Sequence, residues 1–254
     1  TIFNMRTANP ALTTKAFDIA VSAEEKMTIQ GTVNKTFISL FILIGGAFYT
    51  WDIYFATVTE KGVGDPSSIT PWMIGGGIGG FAVALVTVFK KTWAPVTTPL
   101  YALLEGLLLG GLSAFIESMY PGIVLQAVAL TFGTLFSLLF AYKSGLIRAT
   151  ENFKLGVFAA TGGIALIYLV SFVLGFFGVQ IPFIHSNGLL GIGFSAFVVV
   201  IAALNLVLDF DFIEQGAEKG APKYMEWYGA FGLMVTLVWL YLEILRLLTK
   251  LRSR

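Results

Sequence analysis

Seven uninterrupted apolar stretches govern what this chain can become, at about 35–56, 71–89, 97–119, 122–142, 155–178, 188–212 and 227–248. Each is long enough to cross a ~30 Å hydrocarbon core. Inside such a core every backbone N–H and C=O must be satisfied by the protein, which leaves helices and closed barrels. The apolar residues run continuously instead of alternating, so helices are predicted. The expected fold is all-α: a polytopic membrane protein, a seven-transmembrane-helix bundle over residues 35–254 behind a polar N-terminal segment, 1–34. Charge supply agrees, because only 12% of the residues are charged, where a soluble domain carries roughly 25%.

Punctuation marks the span boundaries. Pro71, Pro99 and Pro121 are placed at or near helix starts, where a missing backbone donor costs least, and the glycine-proline segment 62–66 reads as a loop. Residues 17–21 are too short an apolar run, and too closely flanked by Lys15, Asp18, Glu24 and Glu25, to serve as a cleavable signal. Glycines recur at 75, 76, 77, 79 and 80, at 106, 110 and 111, and again at 162, 163, 188, 191 and 193. Small residues at such spacing let helix backbones approach closely in lipid, so these positions are read as packing sites.

With the N-terminus inside, eleven basic residues fall on the cytoplasmic side: Arg6, Lys15, Lys26, Lys35, Lys90, Lys91, Lys143, Arg148, Lys154, Lys219 and Lys223. Lys61, Arg246, Lys250, Arg252 and Arg254 fall on the other. Lysine and arginine accumulate in cytoplasmic loops, so an N-inside orientation is expected, with the basic tail as its discordant element. A net charge of +1 points to no nucleic acid.

Ionisable groups inside spans are costly unless they face a partner or a cavity, so they are the candidate functional residues. Asp52 lies near the outer end of the first span. Glu105 sits about eight residues into the third, either as a buried carboxyl hydrogen-bonded to a neighbour or as a pathway group. Asp209, Asp211 and Glu214 close the sixth span. Asn205 and Asp209 share a helix face, whereas Asp211 points away from it and aligns with Glu214 and Gln215. Asp209 is therefore favoured over Asp211. Glu243, two-thirds of the way along the last span, either pairs with Arg246 at i,i+3 or takes part in function.

The remaining chemistry argues against an enzyme. There is no cysteine and a single histidine, His185, placed in the loop before the sixth span. A zinc site or a Ser-His arrangement lacks its parts, no Gly-x-Gly-Asp motif of the intramembrane aspartyl proteases occurs, and no lysine in the last span could hold retinal. No cofactor is implied.

In the C-terminal third, residues 206–214 (LVLDFDFIE) and 241–248 (YLEILRLL) resemble the Bax inhibitor-1 family of membrane proteins. The linker 221–229 (APKYMEWYG) and the tetrapeptide 9–12 (NPAL) are similar to its bacterial YccA-like branch. The resemblance implies a pH-sensitive cation leak channel, notably for Ca²⁺, of the bacterial cytoplasmic (inner) membrane. It implies a carboxylate pair on the last two spans as sensor, which here would be Asp209 and Glu243, with Glu105, Asn205, Asp211 and Arg246 as pathway or supporting groups. This chain departs from the pattern in carrying Glu rather than Asp at the second position, and in a long segment between the two acids. Two such carboxylates in a dry bundle cannot both ionise cheaply, so they would share a proton, and their oxygens would suit a hard cation. The expected partners are the lipid bilayer and Ca²⁺ or other cations. An alternative reading is a non-conducting interaction protein that regulates a membrane protease or other membrane partner through segment 1–34. A third is a proton-coupled transporter.

Overall fold

The computed structural model describes residues 26–59, 64–179 and 186–253, so His185, Lys61 and most of the N-terminal segment lie outside the described residues. Among the described residues, seven helices long and apolar enough to span a membrane follow one another: α1 (Ile29–Ala56), α2 (Thr70–Phe89), α3 (Ala94–Met119), α4 (Ile123–Lys143), α5 (Glu151–Phe176), α6 (Leu189–Glu218) and α7 (Met225–Arg252). The shortest, α2, has 20 residues, about 30 Å at 1.5 Å per residue. The chain is thus a seven-helix membrane protein, as its apolar runs require.

Local chemistry sets the ends. Thr28 caps α1 by accepting from the Gly31 N–H, and Thr150 caps α5 by accepting from Phe153, each satisfying an orphan donor of a first turn. Pro71 lies in the first turn of α2. Gly122 and Gly220 take φ of 81° and 65° in the tight turns before α4 and α7, a region that favours glycine.

Four boundaries differ from the sequence expectation. Pro99 lies inside α3, whose first turn begins at Ala94; the ring removes one backbone donor without ending the helix. Helix α6 runs on to Glu218, because Asp211 and Glu214 are paired to side chains of neighbouring helices and do not terminate it. Helix α7 starts at Met225 rather than at about 227, and α1 takes in residues 29–34 of the polar segment.

Helix α7 is the axis of the bundle, packed by α1, α3, α4 and α6; 56% of its most apolar stretch is buried, against 11% for α5. The main core lies where α3, α4, α6 and α7 meet, around Leu109, Ile123, Leu206, Leu237 and Leu240. On the α1–α2–α3 side the backbones themselves touch. A Cβ at Gly46 would lie 2.8 Å from the Leu103 carbonyl and one at Gly76 2.5 Å from that of Leu104, while Gly106 and Gly110 face the Leu43 and Ala47 carbonyls. The glycines of α5 differ: Gly156, Gly162 and Gly163 have open space where a Cβ would sit, so they are not close-approach sites.

The helix ends fix which loops share a side. Met27 N–H donates to the Ala221 carbonyl (2.7 Å), so the chain before α1 adjoins the α6–α7 turn. Arg252 donates to the Pro121 carbonyl (2.8 Å), so the end of α7 adjoins the α3–α4 turn on the opposite side.

Candidate functional site

Antiparallel α6 and α7 pack in one register along their length. Near the α6–α7 turn, Asp209 accepts a hydrogen bond from the Thr236 hydroxyl, and a Cβ at Gly232 would come within 3.8 Å of Asp209 Oδ1. At the far end, Lys250 Nζ donates to Ser195 Oγ (2.9 Å) and to the Gly191 carbonyl (3.1 Å). This register sets Glu243 level with Val198 and Ala202. Two helical turns, about 10 Å, separate Thr236 from Glu243 along α7. The structure therefore does not bring Asp209 and Glu243 together; each has its own partners.

Asp209 is half-buried at the α6–α7 contact, and its Oδ2 is buried with no hydrogen-bond partner among the described residues. Such an orphaned acceptor is uncommon in native interiors. Glu243 is 2% exposed and fully engaged. Tyr168 of α5 donates to it (3.0 Å), and Arg246 one turn away donates to both carboxylate oxygens (3.1 and 3.2 Å). Arg246 also donates to the Tyr168 hydroxyl (2.7 Å), its guanidinium 5.2 Å from that ring. The i,i+3 pairing of Glu243 with Arg246 is thus present, with a tyrosine from another helix closing the triangle.

The other candidates divide between two faces. Asn205 Nδ2 donates to Thr161 Oγ1 of α5 and to the Ile201 carbonyl (both 2.8 Å). Asp211 faces α5 as well, paired with Lys154 (2.9 Å) and accepting from Gln215 (2.6 Å). Glu105 stands apart, hydrogen-bonded to Tyr101 of its own helix and 3.1 Å from where a Cβ of Gly80 would lie. It belongs to the α2–α3 contact, and Tyr101 in turn packs edge-on to Phe231 of α7. Among the described residues no group of three or more histidines, aspartates or glutamates could hold a metal.

Sequence reasoning missed a second buried acid on α7. Glu226 is fully buried, ion-paired with Lys35 of α1 and with Lys223 (3.2 Å). It also accepts from the N–H and hydroxyl of Thr28 (both 2.9 Å). Gly31 makes room for it, since a Cβ there would overlap the carboxylate. This cluster ties the start of α1 to the start of α7. The missed partners of the other acids, Thr161, Tyr168 and Thr236, are neutral hydroxyls that no charge count picks out. The signal that could have found two of them is spacing, because Lys154, Thr161 and Tyr168 fall seven apart on α5.

A sequence model of the family described as Bax inhibitor 1 like matches residues 9–253. Comparison with curated proteins and with solved structures gave no match.

Proposed function

The chain belongs to the Bax inhibitor 1-like family, and from that premise we propose that it is a pH-sensitive cation leak channel, Ca²⁺ being the expected ion, with Asp209 and Glu243 as separate acidic stations at two depths. The observation that carries this reading is the Asp209 carboxylate, half-buried at the α6–α7 contact with one oxygen buried and unpartnered among the described residues. An ionisable group held inside a membrane bundle without full compensation marks a pathway or a sensor. Charged, it offers an oxygen to a cation; protonated, it becomes a donor to a neighbouring helix. Either change alters the α6–α7 contact at the bundle axis.

The expected location is the bacterial cytoplasmic membrane with the N-terminus inside. Support comes from Lys26, Lys90, Lys91, Lys143, Arg148, Lys219 and Lys223, which lie on the side of the chain before α1, and from the accumulation of basic loops on the cytoplasmic face.

Purified protein in calcium-loaded liposomes tests the reading. Leak that changes between pH 6 and pH 8, and loses that change in Asp209→Asn, is the expected result. Equal leak at both values in wild type and variant would remove it. The alternative, a non-conducting interaction protein, draws support from the attachment of residues 26–28 to the α6–α7 turn, through which a partner on segment 1–34 would pull on α7. It would be favoured by vesicles that leak no faster than protein-free ones.

A further inference from the structure

Helix α5 is attached to the bundle in an unusual way for a membrane span. Its seam toward α6 and α7 follows a seven-residue repeat, the period of a coiled-coil contact. Val157 and Ile164, at 4% and 3% exposure, occupy one position of the repeat. Lys154, Thr161 and Tyr168 occupy the other, and each makes a polar contact: with Asp211 (2.9 Å), Asn205 (2.8 Å) and Glu243 (3.0 Å). Val157 and Ile164 are the buried residues of α5, and its glycines leave open space instead of backbone contact.

We infer that α5 is the movable wall of the ion path, held shut by these three polar contacts, and that cations pass along the strip of Asp211, Asn205 and Glu243 when it swings away. This rests on the leak-channel reading and specifies its route. From Lys154 to Tyr168 is about 21 Å at 1.5 Å per residue, most of a ~30 Å hydrocarbon core. At one end a cavity of about 360 Å³ lined by Glu151, Lys154, Leu208 and Asp211 adjoins the first contact. At the other the Arg246 side chain is 44% exposed, so the polar strip reaches outward at both ends.

The chemistry favours opening by withdrawal of α5. Lys154 would leave with the wall and expose Asp211, while Asn205 and Glu243 remain on α6 and α7 as oxygen-bearing groups that a hard cation prefers. In lipid, no hydrophobic effect opposes the separation, because acyl chains solvate apolar side chains as well as a neighbouring helix does. Polar contacts therefore decide the closed state.

The absence of cysteine from the chain permits a clean test. Ile164→Cys places a thiol in the seam, where a membrane-impermeant methanethiosulfonate reacts only if water reaches it. In proteoliposomes, Thr161→Val and, separately, Tyr168→Phe are expected to speed that modification by about two- to tenfold, the shift one hydrogen bond confers, and to raise calcium leak in parallel. Thr161→Val is nearly isosteric, so it keeps the test valid if Tyr168→Phe fails to fold. Modification and leak both unchanged in folded variants would overturn the inference, as would leak that rises while the introduced thiol stays protected. Faster modification with no calcium flux in any variant would sink the leak reading and leave the α5 movement standing.

Discussion

The α1–α2–α3 side and the α5 side of the bundle are held together by opposite means. On the first, glycines bring helix backbones to within a carbonyl's reach, and the contact is continuous dispersion between close surfaces. On the second, few side chains are buried and three polar contacts a heptad apart join α5 to its neighbours. Close packing tolerates almost no change of shape, whereas a row of discrete hydrogen bonds can be broken and remade. The difference separates a fixed frame from a segment suited to move, with α7 as the axis between them.

Glycine substitution should break this comparison most visibly. Gly106→Val drives a side chain into the Leu43 carbonyl and is expected to cost about 3 kcal/mol, the upper end for overpacking, or to prevent folding. Gly162→Val, facing open space, should stay within about 0.5 kcal/mol of wild type. Chemical denaturation in detergent compares the two, and equal losses would erase the distinction.

A smaller but still large effect is expected where the frame grips α7. Lys35→Met leaves the fully buried Glu226 with only the partly exposed Lys223 as ionic partner, and loss of one member of a buried pair costs about 3 kcal/mol, discounted here because Lys223 and Thr28 remain. A midpoint for Lys35→Met between those of the two glycine variants supports the ranking; no shift at all would mean that the Glu226 cluster does not fasten α1 to α7.

The smallest effect belongs to the loop before α2. Asp65 accepts from the Ser67 N–H (2.9 Å) and hydroxyl (2.6 Å), and these bonds hold its carboxyl below the usual range. Its contribution is therefore fully present above the ordinary aspartate value of about 3.9 and is lost only as pH falls through the lowered one. Asp65→Ala should lower thermal stability slightly and by the same amount at pH 5 and pH 8. A difference that varied across that window would trace to another group.

The spans were legible because each is a local property: continuous apolar residues, long enough to cross a bilayer. Ends were less legible. Asp209, Asp211 and Glu214 look like a helix terminus in sequence, yet α6 continues to Glu218 because Lys154, Gln215, Tyr142 and Thr236 give those acids partners. Gly106 and Gly162 look alike as residues, and only one has a neighbouring backbone against it. Glu226 sits three residues from Lys223 and reads as a surface pair until α1 covers it.

Life in lipid as seven helices could be read from the order of residues, since transfer of each segment into hydrocarbon depends on its own side chains. Which acids meet which partners depends on how the helices pack. The α6–α7 register places Asp209 beside Thr236 and carries Glu243 two turns further, to Tyr168 and Arg246. That register is fixed by side chains far apart in the chain, such as Lys250 on Ser195, and a helix's internal periodicity specifies its faces but not its sliding position against another helix.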